Sequence, residues 1–441
     1  MKTPKAGSGR TFERMQWRVL IATMVGYTLF YFMRKNFSFA MLGLEQDCGV
    51  SKSTLGNFLL AGGLVYGIAK FLFGFVGDRV NSRKMLCFGL AACTLVNVAF
   101  GFVPDLFSGQ AMLWAFGGLL VLSQLFQATG FPPCARLIAF WVPPQELATK
   151  MSVWNTSHSI GGGLVAQICG VIMGLGVLGA KAQGIGMWKW CFWSMAILGG
   201  LGLLLMWVWL PGTPEEEGVP TPAELNAAPI SDGKAELSAE KRPSAVKMIF
   251  LNPVIWALGC CNFTINATRS LVADWGPTLL QQGKGFNPAE SGTIVMFFEF
   301  AGIAGMLFAG WATDRFFAGK APRLCVFLMA LTAALLALFW WLPSGVCGAV
   351  ALCGAGFCLY GPQALTGVTA TNIATKSLTG TAIGFISLFS YVGVSISGKV
   401  CGTLAQHYQG WAAPVFAICA TAVCSAMFFL TLWRTRAHSY G

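Results

Sequence analysis

The sequence predicts an all-α polytopic membrane protein of twelve transmembrane helices, and three observations carry that prediction. Of its 441 residues, 55% are hydrophobic and 10% are charged, against roughly 25% charged in ordinary soluble domains. That composition excludes a water-soluble globular enzyme. The apolar share also matches what twelve spans of about 20 residues consume. Finally, the apolar runs are long and unbroken, as over 198–210, whereas a transmembrane barrel alternates in segments of about ten residues.

Breaking the apolar runs at charged or Gly/Pro clusters sets the elements in order. Six spans fall at 17–41, 54–77, 84–103, 111–140, 150–176 and 188–211, and six more at 252–282, 289–316, 322–342, 346–372, 379–404 and 410–433. Ahead of the first span stand Lys2, Lys5, Arg10 and Arg14 with no apolar core, so no cleavable signal peptide is expected. Between the sixth and seventh spans, 212–246 is rich in Pro, Ala, Ser and Glu and has no apolar periodicity. It reads as a flexible cytosolic linker, with Glu215, Glu216 and Glu217 as a solvated acidic run. The chain thus divides into an N-terminal six-helix half (1–211), the linker (212–246) and a C-terminal six-helix half (247–441).

Of the 29 basic residues, 20 fall at the termini and even-numbered connections, four (Lys52, Lys181, Lys189, Lys284) on the opposite side and five inside spans. The positive-inside rule places both termini in the cytosol. Most of the +12 net charge is therefore topology, and no nucleic-acid surface is expected. The 15 cysteines lie mostly within apolar runs without paired spacing and read as small packing residues.

The two halves repeat. Gly74, Asp78, Arg79, Arg83 and Lys84 follow span 2, while Gly310, Asp314, Arg315, Lys320 and Arg323 follow span 8, the aspartates 236 residues apart. Intramembrane Arg34 and Arg269 are 235 apart. Two six-span halves with a duplicated Gly-x-x-x-Asp-Arg connection resemble the plan of the major facilitator superfamily, in which the binding site lies at the midplane between halves.

Five basic residues lie inside spans: Arg34, Lys35, Lys70, Arg269 and Lys399. At about 2.5–3.5 kcal/mol each, all five cannot face lipid. The acids at membrane depth are Glu299 and, nearer a helix end, Asp274, which leaves three positive charges unmatched. A cavity with surplus fixed positive charge attracts an anion. Tyr27, Tyr31 and Arg34 stand at i, i+4 and i+7 on one face of span 1, with Lys35 beside them, and Asn262, Asn266 and Arg269 repeat those offsets on span 7. Two guanidiniums, each a fixed fork of donors, suit phosphate better than carboxylate.

In span 5, Asn155 and His158 share a face beside Gly161-Gly162-Gly163. The histidine is either a packing residue or a donor that follows the substrate's protonation. Lys70, with Tyr66 one turn before it, is a third positive arm or a structural pair, and Lys399 has the same two readings. Tyr360 and Tyr391 either meet a sugar ring or pack. A Lys35–Asp274 ion pair would bridge the halves as a gate or as an inert link. No metal constellation, catalytic nucleophile or nucleotide loop is present in the sequence, so no cofactor is expected and an enzyme is disfavoured.

Over nearly the whole chain, Tyr27-Thr28-Leu29-Phe30-Tyr31-Phe32-Met33-Arg34-Lys35-Asn36-Phe37, Gly130-Phe131-Pro132-Pro133-Cys134, Ser152-Val153-Trp154-Asn155 with His158, and Arg269 followed by Asp274-Trp275-Gly276-Pro277 resemble the organophosphate:phosphate antiporter family. The resemblance implies exchange of an external organophosphate for internal phosphate by alternating access. It implies phosphate binding by Arg34 and Arg269, a substrate-linked His158, an inter-half charge cluster of Lys35, Asp274 and Glu299, and a span-2 lysine at Lys70. One departure concerns span 11, where the hexose-phosphate branch carries an acid and a lysine near Val394-Ser395-Ile396-Ser397; Lys399 comes two places late. The Leu388-Phe389-Ser390-Tyr391-Val392-Gly393 context nevertheless favours that branch. The expectation is a monomeric transporter in a bacterial inner membrane that exchanges a hexose phosphate, such as glucose 6-phosphate, for inorganic phosphate. The alternatives are a membrane sensor of external hexose phosphate that signals to a kinase, or an antiporter preferring glycerol 3-phosphate or phosphoglycerate.

Overall fold

A computed structural model describes residues 8–77, 79–179, 186–219, 251–317, 319–373 and 379–434. Inside a bilayer every backbone amide must find its partner within the segment, which makes the helix the default. Among the described residues, seven helices precede residue 212: α1 (Ser8–Cys48), α2 (Lys52–Gly77), α3 (Ser82–Leu106), α4 (Gly109–Gln127), α5 (Phe131–Trp141), α6 (Pro144–Gly179) and α7 (Met187–Trp209). Six follow the linker: α8 (Pro253–Thr278), α9 (Pro288–Phe316), α10 (Ala321–Trp341), α11 (Val346–Ile373), α12 (Thr379–His407) and α13 (Ala412–Thr431).

The span expected at 111–140 is broken into α4 and α5 at Gly130-Phe131-Pro132-Pro133. Prolines at the start of α5 have no amide hydrogen to continue α4. Counting α4 and α5 as one span gives twelve. Ten are long and apolar enough to cross a membrane by length and composition. The remaining two, α1 and α8, are those that carry Arg34 and Arg269, since their polar faces lower the mean. α1 also begins at Ser8, well before the expected 17, because hydropathy marks where lipid begins and not where helical hydrogen bonding begins.

Local chemistry sets several ends. Asn81 and Asn252 cap α3 and α8 through side-chain oxygens, and Asn287 with Glu290 forms a reciprocal capping box on α9. α8 carries Pro277 in its last turn and continues past Thr278 into a π-helical turn, Leu279–Gly283. The acidic run after α7 does more than face solvent. Glu217 and Glu216 accept the amide hydrogens of Gly212 and Thr213, and Glu216 also accepts from the Asn81 side chain. Most of the expected linker, 220–246, lies outside the described residues, as do Asp78, Lys181 and Lys247. All 15 cysteines are free.

The halves meet along α6 with α9, α2 with α12, and more lightly α1 with α8. Glycines measure how closely. A β-carbon on Gly170 of α6 would lie 2.8 Å from Gly292 Cα, one on Gly63 of α2 would lie 2.2 Å from Ser395 Oγ, and one on Gly402 of α12 would lie 2.5 Å from the Lys52 carbonyl. Such approaches let backbones pack where lipid offers no hydrophobic drive between helices. Toward the terminus-bearing side, Gly74 of α2 and Gly384 of α12 have nothing within 4 Å of such a β-carbon. The halves are therefore closed on the side away from the termini and splayed on the side of the termini.

Candidate functional site

At mid-depth between the halves lies a cavity of about 190 Å³ lined by Tyr27, Tyr31, Arg34, Lys35, Tyr66, Lys70, Phe131, Asn155 and His158 from the N-terminal half, and by Asn266, Arg269, Ser270, Ala273, Asp274, Gln363, Ser390, Tyr391 and Val394 from the C-terminal half. A second cavity of about 380 Å³ shares Lys70, Phe131 and Tyr391 and continues to Gly74 and Gly384, toward the open side.

The pseudo-twofold relation is visible in contact. Ser38 Oγ donates to the Ala273 carbonyl at 3.3 Å across 235 residues of sequence, the same separation as the two arginines. Equivalent positions that touch each other lie near the axis relating the halves. Lys35 Nζ, one turn away, donates to Asp274 Oδ1 at 2.6 Å and to the same Ala273 carbonyl at 3.3 Å. This ion pair joins α1 to α8 and closes the cavity on the sealed side. Beyond it Glu45 accepts from Lys52 Nζ at 2.5 Å and from Gln282 Nε2 at 3.0 Å.

The two arginines differ in their partners. Arg34 has its guanidinium carbon 4.0 Å from the Tyr66 ring centroid and 5.8 Å from that of Tyr31. Among the described residues no carboxylate lies within ion-pair distance of it; the four ion pairs are Lys35–Asp274, Lys52–Glu45, Lys189–Asp105 and Arg269–Glu299. Arg269 donates from Nε to Tyr360 Oη at 2.7 Å and from Nη2 to Glu299 at 3.1 and 3.3 Å, while Tyr360 Oη donates to Glu299 Oε2 at 2.5 Å. Glu299 is only 2% exposed. It pairs with Arg269 inside its own half and not with Lys35. Tyr360, considered above as a sugar partner, is fully buried and absent from the cavity lining; it holds Arg269 from behind.

Lys70 Nζ donates to Tyr391 Oη at 2.6 Å across the halves and lies 4.3 Å from the Phe131 ring centroid, and among the described residues no acid pairs with it. His158 Nδ1 donates to the Asn155 carbonyl, which leaves Nε2 for other partners, and its ring packs edge-on to Tyr31. Tyr27 packs against Trp154 and Tyr31. Asn266 Nδ2 donates to the Asn262 side chain and carbonyl. Lys399 reaches Ser53 Oγ at 3.2 Å on the sealed side, away from the cavity.

Four cations (Arg34, Lys35, Lys70, Arg269) thus meet two carboxylates (Asp274, Glu299), which leaves two positive charges at the site. Tyr66, Gln363 and Ser390 join the lining although the sequence pattern singled out none of them as site residues. Only Tyr66 had a signal, its place one turn before Lys70. At the terminus-side connections Arg79, Asp314 and Arg315 are exposed. Arg83 donates to the Trp207 carbonyl, and Arg136 caps the end of α2 through the Gly77 and Val80 carbonyls at 2.5 and 3.0 Å.

Residues 23–398 match the model of the Major Facilitator Superfamily. The chain is 32% identical over 433 residues to the glycerol-3-phosphate transporter of Bacillus subtilis, covering 96% of this chain and 94% of that one. It is 32% identical to the membrane sensor protein UhpC of Escherichia coli, covering 90% and 88%, and 32% identical to a probable hexose phosphate transport protein of Chlamydia muridarum, covering 96% and 92%. Among solved structures, the inward-open xylose transporter XylE from E. coli aligns with a TM-score of 0.73 at 12% identity over 96% of this chain and 98% of that one. A bacterial homologue of the human lysosomal transporter Spinster, inward-facing and unoccupied, aligns with a TM-score of 0.73 at 15% identity over 95% of both. The chain is a multi-span membrane protein that belongs to the major facilitator superfamily and, within it, to the organophosphate:phosphate antiporter family.

Proposed function

We propose that the protein exchanges a phosphorylated sugar, with a hexose phosphate as first choice, for inorganic phosphate by alternating access. The observation that carries this reading is Arg34, a half-buried guanidinium at membrane depth with no carboxylate beside it among the described residues, in a cavity two positive charges in excess. A phosphomonoester carries about −1.5 to −2 at pH 7 and closes that balance. Arg34 and Arg269 are assigned to the phosphoryl group from opposite halves, Lys70 and His158 to its remaining oxygens, and Tyr31, Asn155 and Tyr391 to the cavity wall around the ester.

Exchange follows from the same electrostatics. An empty cavity retains unpaired positive charge at membrane depth, which is costly to carry through a closed state; either phosphate or an ester supplies the partner. Both ligands therefore speed reorientation, and coupled exchange outruns net transport. The described conformation, open on the side of the termini, corresponds to the cytosolic opening once the basic connections are placed in the cytosol. Breaking Lys35–Asp274 and separating α2 from α12 and α6 from α9 is the opposite opening.

The test is uptake of labelled phosphate into phosphate-loaded proteoliposomes, challenged by glucose 6-phosphate and glycerol 3-phosphate. Exchange inhibited by one of them is the expected result. Because one relative is a sensor, binding of glucose 6-phosphate without any exchange would replace antiport with sensing.

A further inference from the structure

Lys84, Cys87, Phe88 and Ala91 stand at i, i+3, i+4 and i+7 and so share one face of α3. Opposite them, Leu204 and Trp207 of α7 complete a groove of about 480 Å³. Phe88, Leu204 and Trp207 are 62, 66 and 57% exposed. Both helices are long and apolar enough to cross a membrane, so this groove faces lipid and an acyl chain is its natural filling. α3 runs away from the side of the termini and α7 runs back toward it. Lys84, in the first turn of α3, and Trp207, in the last turn of α7, therefore mark one membrane boundary, with Ala91 two turns deeper.

That boundary is positive. Arg83 donates to the Trp207 carbonyl, and Arg18 of α1 donates from Nε to the Trp209 carbonyl at 2.7 Å, at the helix end where cations are favoured. Lys84 is exposed, and among the described residues no carboxylate pairs with it or with either arginine. Glu216, which reaches the start of α3, is engaged by Asn81 Nδ2 at 2.7 Å and by the Thr213 amide. The C-terminal half repeats the arginine alone. Arg323 stacks on Trp433 and donates to its carbonyl at 3.3 Å, but Leu324 follows it where Lys84 follows Arg83. A larger groove of about 600 Å³ between α2 and α4, lined by Thr54, Asn57 and Trp114, carries no cation. Basic pockets between spans recognise anionic headgroups. We propose that the α3–α7 groove holds an anionic glycerophospholipid, its phosphate on Lys84 and Arg83 and an acyl chain over Phe88 and Leu204, tying the start of α3 to the end of α7.

The test titrates the purified full chain in detergent with phosphatidylglycerol or phosphatidylcholine of identical acyl chains. Bound lipid is counted by native mass spectrometry, and the melting temperature, which a ligand of the folded state raises, is followed in parallel. The expected result is a preference of about tenfold or more for phosphatidylglycerol, the weight of two basic groups at a lipid surface. Lys84→Gln weakens phosphatidylglycerol by about fivefold, the share of one such group, and leaves phosphatidylcholine unchanged, while Lys84→Arg keeps the preference. Lys320→Gln, which removes the same charge from the C-terminal half, leaves both affinities unchanged. Ala91→Trp, which fills the groove, weakens both lipids. Equal affinity for the two lipids in the wild type overturns the proposal, and so does an equal loss in Lys84→Gln and Lys320→Gln, which would reduce the effect to diffuse surface attraction. Undiminished binding in folded Ala91→Trp would overturn the seat of the acyl chain.

Discussion

Arg34 and Arg269 occupy matching places in the two repeated halves, each at the third position of the same helical face, yet their surroundings are opposite. Arg269 is clamped before any ligand arrives, its fork spread between Tyr360 and the carboxylate of Glu299. Arg34 rests on the ring of Tyr66, a contact worth about 0.5–2 kcal/mol. Duplication has copied the positions and not the environments. One half holds an arginine fixed and neutralised by Glu299 and Tyr360, and the other holds an arginine with no carboxylate beside it among the described residues, whose counter-charge in the proposed mechanism is the ligand. In the proposed exchange the ligand completes the weaker half and draws it toward the stronger one.

The largest effect is expected from removing the unpaired charge. Arg34→Gln takes the site from two surplus positive charges to one and deletes the fork, so phosphate affinity measured by titration calorimetry falls by about 100-fold or more, the cost of losing one partner of a buried charged pair. Next comes the opposite manipulation, which makes the C-terminal half resemble the N-terminal one. Glu299→Gln frees Arg269 and raises the surplus to three; KM for phosphate drops and the maximal exchange rate drops with it, by about tenfold, because ligand bound more tightly in the ground state leaves more slowly. A raised KM in that variant would mean that Glu299 serves chiefly to hold Arg269 in place.

Smaller changes are expected at the closing contact. Asp274→Asn weakens the sealed side and lowers exchange, and the inverted pair Lys35→Asp with Asp274→Lys recovers part of it, with a coupling of about 0.5–3 kcal/mol in a double-mutant cycle. Zero coupling would reduce the pair to two independent residues. The smallest effect belongs to Lys399→Gln. Its ammonium contacts Ser53 away from the cavity, and exchange stays within about twofold, as for substitutions outside the named mechanisms of loss.

Much of this was legible in sequence. The 235-residue offset located both arginines, and the count of five basic residues against two acids at membrane depth anticipated three unpaired cations; among the described residues Arg34, Lys70 and Lys399 have no carboxylate partner. The Lys35–Asp274 contact was legible too as a candidate bridge, because Lys35 lies one residue beyond Arg34 and Asp274 five beyond Arg269, on the two equivalent helices of opposite halves. The assignment of Glu299 was not. Periodicity reports which face a residue occupies on its own helix and is silent on rotation between helices, so a carboxylate on span 8 could not be allotted between Lys35 and Arg269. The choice between the two readings of Tyr360 was closed to the sequence for the same reason, and the structure selects the buried one. Gln363 carried no signal at all, since a lone glutamine after Gly361-Pro362 has neither periodicity nor charge. The break within span 4 was written in Gly130-Phe131-Pro132-Pro133, but hydropathy runs across it unchanged.

The central claim is that the fork of Arg34, and not positive charge alone, anchors the phosphoryl group. Its most direct test is phosphate self-exchange in proteoliposomes by Arg34→Lys, which preserves the surplus of two positive charges and removes the fork. Exchange abolished in folded, correctly inserted protein is the predicted result; a rate close to that of the wild type would contradict the two-arginine account.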